Sequence, residues 1–205
     1  MSAGDLVLAM TGASGAVYGL RLLEVLLQGS RTVHLTISGA AAEVLDHEMG
    51  RRINLDQFAL ADLLGESAQA WQQQVRYHHF QDYRAGIASG SFLTAGMVIC
   101  PCSMGTIAAI AHGLSQNLIH RAADVHLKEK RRLILVPRET PLSAIHLRNL
   151  TLCAEAGAVV LPAMPAFYTH PTSLQEAIDF IVGRIADQIG VPHTLLKRWG
   201  ENRSP

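Results

Sequence analysis

Three cysteines, Cys100, Cys102 and Cys153, are all that the sequence holds. Their odd number and lack of framework spacing exclude a disulfide-stapled scaffold and fit a reducing compartment. No apolar run is long enough to span a bilayer, and the opening Met1-Ser2-Ala3-Gly4-Asp5 carries no basic region ahead of its short apolar stretch. Neither a membrane span nor a secretory signal is expected, and the expected location is the cytoplasm. Net charge is also missing. The 17 lysines and arginines balance 17 acidic residues, which leaves no field for nucleic acid or an anionic membrane. None of the ten histidines lies in a His-Glu-x-x-His pattern or beside a Cys-x-x-Cys, and the pair His78-His79 lacks a third ligand at a useful spacing. No metal site is expected. Repeats, linkers and low-complexity segments are absent as well. What remains is 205 residues, 49% of them hydrophobic, which suits a single domain over residues 1–205 with a sizeable core.

The most informative stretch runs from Leu6 to Ala16, Leu-Val-Leu-Ala-Met-Thr-Gly-Ala-Ser-Gly-Ala. An apolar run without alternation, two glycines three apart and a helical pattern beyond them read as buried strand, tight turn and helix. That is the phosphate-binding entrance of a doubly wound α/β fold, where Gly12 and Gly15 admit a close ligand and the helix start favours an anion. Ser14 adds a hydroxyl there. A nicotinamide reductase is the obvious rival. The dinucleotide fingerprint, however, wants Gly-x-Gly-x-x-Gly and an acidic residue after the second strand. Here that strand, Arg31 to Ile37, ends in Ser38-Gly39, and none of the four tyrosines is followed four residues later by lysine.

Further along, a helix is expected over 38–49, with Ser38 as its cap or as a ligand contact, and with Glu48 on a solvated face. Residues 54–74 are helical in composition but weakly patterned, and 74–80 reads as a short edge strand. The loop Ala88-Ser89-Gly90-Ser91 is an ordinary turn or a phosphate cradle. A second strand-to-helix mouth follows at 97–106, with Ser103, Gly105 and Thr106 as candidate contacts, a helix from Ile107 to His112, and Cys102 as a buried structural thiol. On the helix expected over 117–130, Arg121, Asp124 and Lys128 share a face. They form either a surface ladder or two cations held by one carboxylate as a phosphate wall. The strand 132–137 ends in Arg138-Glu139, charged residues at the carboxyl edge where the crevice of such a sheet opens. A helix is expected from Pro141 to Glu155, a strand over 157–162, a proline-rich loop carrying Tyr168, and an amphipathic helix over 173–189 in which Arg184 interrupts the apolar positions. The tail from about 190 to 205, with Lys197-Arg198-Trp199-Gly200, is expected to pack on a neighbouring subunit.

Six motifs taken together resemble the flavin prenyltransferase family, the UbiX/Pad type, over essentially the full length. They are Thr11-Gly12-Ala13-Ser14-Gly15, Ser89-Gly90-Ser91, the run from Pro101 to Thr106, the run from Arg121 to Glu129, the run from Val136 to Pro141, and Pro165-Ala166-Phe167-Tyr168. The resemblance implies a flavodoxin-like, Rossmann-like three-layer sheet in a homododecamer that binds FMN where subunits meet. It implies transfer of a dimethylallyl group from dimethylallyl monophosphate to N5 and C6 of reduced FMN, with the product passed to a UbiD-type decarboxylase. By the same resemblance FMN would touch Gly12, Ala13, Ser14, Ser38, Ser103, Met104, Gly105, Thr106 and Arg138. Ser89, Gly90, Arg121, Lys128, Arg138, Tyr168 and Arg184 would hold the allylic phosphate. Catalysis would fall to Ser14, Glu48, Lys128 and Glu139. Two alternatives are an FMN-dependent cysteine-type decarboxylase of the same fold and a flavin carrier without chemistry of its own.

Overall fold

The computed structural model describes residues 4–196. Six strands, β1 (Leu6–Met10), β2 (Val33–Ile37), β3 (Val75–Tyr77), β4 (Gly96–Cys102), β5 (Leu133–Pro137) and β6 (Val159–Val160), pair in the order β3-β2-β1-β4-β5-β6. Every pairing is parallel. Without the three-residue edge strand β3 the order is the flavodoxin-like one, and β3 extends it to the six-strand dinucleotide-type order. The expected three-layer doubly wound sheet is thus what the chain forms.

Helices α1 (Ala16–Gln28), α2 (Gly39–Met49), α3 (Leu60–Leu64), α4 (Met104–Ala111), α5 (Leu118–Lys128), α6 (Ala144–Glu155) and α7 (Leu174–Ile189) make the connections. Leu6, Leu8 and Met10 of β1 join the core shared with α1, α2 and α7, while Val7 and Ala9 join the core shared with α4, α5 and α6. Both faces of the strand are covered, which is why its sequence is apolar without alternation. Gly19 brings α1 onto the sheet, since a Cβ there would lie 2.5 Å from both the Cys100 carbonyl oxygen and Met10 Cε.

Several boundaries differ from expectation, each for a local reason. The helix expected from Pro141 begins at Ala144, because Ser143 and His146 form a reciprocal capping box. The helix expected from Ile107 begins at Met104, because Ser103 Oγ accepts the Thr106 N–H. Residues 54–74 hold only the short α3 and a 3-10 helix, Glu66–Gln74. Ser38 caps α2 by accepting the Ala41 N–H at 3.1 Å. At the other end, Val191 is buried and Leu196 lies over Gly183 of α7, so 191–196 fold back on their own helix. The rest of the tail, Lys197-Arg198-Trp199-Gly200 included, lies outside the described residues.

All three cysteines are free and buried. Burial pushes the Cys153 thiol up to about 11 and those of Cys100 and Cys102 well up, so they are packing groups rather than nucleophiles. His78 belongs to a chain that ties β1 to the outer strands. His34 Nδ1 lies 2.8 Å from His78 Nε2, and His34 Nε2 lies 3.1 Å from Asp5 Oδ2. Among the described residues no group of three His, Cys, Asp or Glu side chains is placed to hold a metal ion, and no helix is long and apolar enough to cross a membrane.

Candidate active site at the carboxyl rim

β1 and β4 are neighbours whose following helices go to opposite layers, so the crevice of the sheet opens between their carboxyl ends. Thr11 staples the two mouths together. Its hydroxyl donates to the Pro101 carbonyl at 3.0 Å and accepts the Ser103 N–H at 2.7 Å. The sequence placed Thr11 inside a motif without assigning it a role, because only the β1–β4 adjacency puts Ser103 beside it. Thr11→Val keeps the shape and removes both bonds. It is expected to lower stability by about 1–3 kcal/mol, read as a drop in the thermal midpoint, since the half-buried Ser103 amide loses its acceptor.

The α1 mouth needs its glycines. Gly15 has φ +105°, and a Cβ on Gly12 would lie 2.6 Å from Ala40 Cβ at the start of α2. No side chain of the turn itself caps α1. Glu48, from the last turn of α2, does so instead: Gly15 N donates to Oε2 at 2.9 Å and Ala16 N at 3.0 Å, and Ser14 adds a side-chain hydrogen bond. Burial pushes the Glu48 carboxyl up, but these hydrogen bonds and the nearby Arg138 outweigh it and hold its pKa below the ordinary carboxylate value. Its contribution to stability is therefore present above the ordinary value and is lost as the pH falls through the lowered one. Glu48 is exposed, as expected for a solvated face, but its carboxylate is also an ionised cap for a helix thirty-odd residues away in sequence.

The other two mouths are open to a ligand. Ser38 at α2 and Ser103 at α4 cap with their oxygens, and Gly105 is exposed with no atom within 4 Å of a built Cβ. Met104 and Thr106 are nearly buried beside it, and Ala13 is buried under the first turn. Arg138, at the end of β5, donates from Nε to the Ser14 carbonyl at 3.1 Å, and its two terminal nitrogens make no hydrogen bond among the described residues. Glu139 is exposed, with Oε1 accepting the Thr140 N–H at 3.0 Å. Both line a small cavity closed by Leu142, Leu150, Pro162 and Met164. Two capped helix starts, a free guanidinium fork and hydroxyl groups around a crevice form a donor-rich cradle. That chemistry fits a flavin mononucleotide, with its phosphate and carbonyl oxygens.

A second group gathers elsewhere. The segment from the 3-10 turn Gly86–Ala88 through Ser91 descends along α5. Arg121 Nε donates to the Ala88 carbonyl at 3.0 Å, and a Cβ on Gly90 would collide with the Glu129 carboxylate and lie 2.9 Å from Lys128 Nζ. The picture of Asp124 holding two cations is corrected: Asp124 pairs with Arg121 at 2.7 Å, and Lys128 pairs with Glu129 at 2.6 Å. Asp124 and Lys128 both lie within α5, but the neighbouring Glu129 takes the Lys128 ammonium. Lys128 ends α5 ahead of β5, while Arg138 follows β5, a strand of five residues about 16 Å long, and no hydrogen bond or ion pair joins the two among the described residues. Tyr168, on the loop after β6, sets its ring edge-on to Phe180 with centroids 6.1 Å apart. Arg184 lies five residues before the end of α7 and ion-pairs with Asp187 at 3.4 Å. A single chain thus has the residues expected to touch flavin at the strand ends and helix starts of the rim, and Ser89, Gly90, Arg121 and Lys128 along α5. It does not bring Lys128 to Arg138.

A donor-rich crevice at the switch point of a doubly wound sheet is where such folds bind nucleotides, and the family model described as Flavoprotein matches residues 1–188, which makes this a flavin-binding domain. The flavin prenyltransferase UbiX of Pseudomonas aeruginosa is 50% identical over 196 residues, covering 96% of this chain and 94% of its own. The crystal structure of AnUbiX (PadA1) in complex with FMN and dimethylallyl pyrophosphate matches 97% of this chain and 98% of its own, with a TM-score of 0.85 and 40% identity. A dodecameric FMN-dependent UbiX-like decarboxylase from Escherichia coli O157:H7 matches 95% of this chain and 98% of its own, with a TM-score of 0.82 and 38% identity. The chain belongs to the flavoproteins. Within them it is a member of the UbiX flavin prenyltransferase family, which sets the cysteine-type decarboxylase aside.

Proposed function

We propose that the protein moves the dimethylallyl group of dimethylallyl monophosphate onto N5 and C6 of reduced FMN, and that the prenylated FMN passes to a UbiD-type decarboxylase. The observation that carries the reading is the division of the residues. Arg138, beside the flavin cradle, follows β5, and Lys128, beside the Gly90 loop, ends the helix that precedes that strand. Each is half a site. A second copy that lays its α5 loop over the first copy's rim completes one, and a closed homo-oligomer completes all. The exposed Ile145 and Leu152 of α6 and Met164, Phe167 and Leu174 beyond β6 give such an assembly apolar surface to bury.

Reduced FMN supplies the nucleophilic positions at which the new bonds form. This chain's residues do the rest. Lys128, Arg138 and Arg184 stabilise the negative charge that develops on the departing phosphate, and Arg121, fixed by Asp124 and the Ala88 carbonyl, points the same way. Ser89 and Gly90 supply hydroxyl and amide donors to its oxygens. Tyr168 and its neighbours wall the electron-poor allyl fragment from water. Glu48, held ionised by the amides it caps, orients Ser14 toward the flavin edge. Glu139 keeps one carboxylate oxygen for proton transfer.

Anaerobic incubation with reduced FMN and dimethylallyl monophosphate, followed by mass and absorbance of the flavin, tests the reading. Gain of one dimethylallyl unit is expected, and an unchanged flavin overturns the proposal. Because side-chain cations supply the charge and the described residues cluster no metal ligands, EDTA is expected to leave the rate unchanged. Loss of activity in EDTA, restored by a divalent metal, would contradict it. A flavin carrier without chemistry would leave Lys128, Glu139 and Arg184 idle. Cytoplasmic action belongs to the same reading, which the three free thiols support.

A further inference from the structure

Three carbonyls of the 88–92 segment, at alternate residues, are all drawn toward α5 and the turn after it. Arg121 Nε takes that of Ala88, Arg131 Nη2 takes that of Gly90, and Arg131 Nη1 takes that of Phe92 at 2.7 Å. The donors between them are left over. Gly90 N makes no hydrogen bond among the described residues, Ser91 N has only a 3.4 Å contact to Ser89 Oγ, and the Ser89 and Ser91 hydroxyls lie 3.0 Å apart. Lys128 Nζ stands beside them, with the Glu129 carboxylate at the spot a Gly90 side chain would fill. In sequence Arg131 is one member of the charged run Lys128-Glu129-Lys130-Arg131-Arg132. In the fold it is half-buried, and both terminal nitrogens are committed to main-chain oxygens.

We infer that Arg131 is a positioning residue for the allylic phosphate: by turning the Gly90 and Phe92 carbonyls away, it leaves the amides of Gly90 and Ser91 and the hydroxyls of Ser89 and Ser91, with Lys128, to meet the anion, while the Ser89 amide stays on the Gly86 carbonyl. This rests on the proposed phosphate role of that loop. A peptide carbonyl aimed at a phosphate oxygen repels it, and a loop free to rotate presents carbonyls and amides by turns. The guanidinium removes that freedom because it is a planar fork that bonds two acceptors at once, as an ammonium on a flexible stem does not. Its charge reinforces Lys128, but geometry is its main contribution.

The test compares Arg131→Ala and Arg131→Lys with the unaltered holoenzyme. KM for dimethylallyl monophosphate is expected to rise about tenfold or more in both, with kcat and FMN affinity within about threefold. The inhibition constant of inorganic phosphate is expected to rise by the same factor. Failure of lysine to rescue marks the fork rather than the charge. An unchanged KM in Arg131→Ala, full rescue by lysine, or a change confined to the thermal midpoint and FMN binding would each overturn the inference. Should alanine prevent folding, Arg131→Lys and the phosphate inhibition constant still decide. If the unaltered enzyme transfers no prenyl group, the underlying reading fails and this inference with it. If it does transfer while Arg131→Ala keeps its KM, this inference alone fails.

Discussion

Lys128→Ala is expected to abolish prenyl transfer while FMN stays bound, and co-expression with an equally inactive Arg138→Ala chain is expected to restore part of the activity. The ammonium faces charge that develops only as the phosphate leaves, so its removal should lower kcat by about 100- to 1000-fold. The flavin cradle does not include it. Recovery follows from the placement of the two side chains, one ahead of β5 on Glu129 and the other after it on Ser14. If each site takes Lys128 from one copy and Arg138 from another, random mixing leaves both intact in about a quarter of sites. Turnover of purified mixed oligomers, with composition checked by mass, measures it. Mixed particles without activity would show that one chain supplies both residues, and retained activity in Lys128→Ala alone would remove the lysine from the chemistry.

Glu139→Gln is expected to lower formation of prenylated FMN by about 100-fold or more, through loss of proton transfer. The substitution is conservative where it needs to be. Glu139 Oε1 accepts the Thr140 N–H, and the glutamine carbonyl oxygen can accept the same bond, so the turn after β5 should hold its shape. Only the capacity to take and give a proton goes. FMN affinity and KM for the allylic donor are expected to stay within about threefold, which separates this residue from Arg131. Unchanged product formation, followed by absorbance of the flavin, would clear Glu139 of the role.

Much of this was legible in one dimension. Strand, glycine turn and helix at 6–28 are local events, readable because a strand buried on both faces loses its alternation and a turn at φ +105° needs glycine at position 15. Ser38 as a cap was equally local. Glu48 was not, since a glutamate late in α2 looks solvated until the β1–β2 pairing sets that helix beside the start of α1. Arg131 hid in a charged turn for the same reason: its partners are carbonyls some forty residues earlier, and main-chain oxygens carry no sequence signal. The ladder on α5 failed differently. Helical spacing identified which side chains could meet, but not that Lys128 would find Glu129 instead of Asp124.

By itself the sequence determined the layers, the rim and the chemical types present there, because periodicity, capping and turn residues act over a few neighbours. Which of those types meet was decided by the tertiary structure alone. Strand order placed Thr11 against Ser103 and Glu48 on α1, and the chain's path set Lys128 ahead of β5 on Glu129 and Arg138 after it on Ser14. Contacts across a sheet depend on which strands become neighbours, a choice settled by burial of the whole core rather than by any single stretch of it.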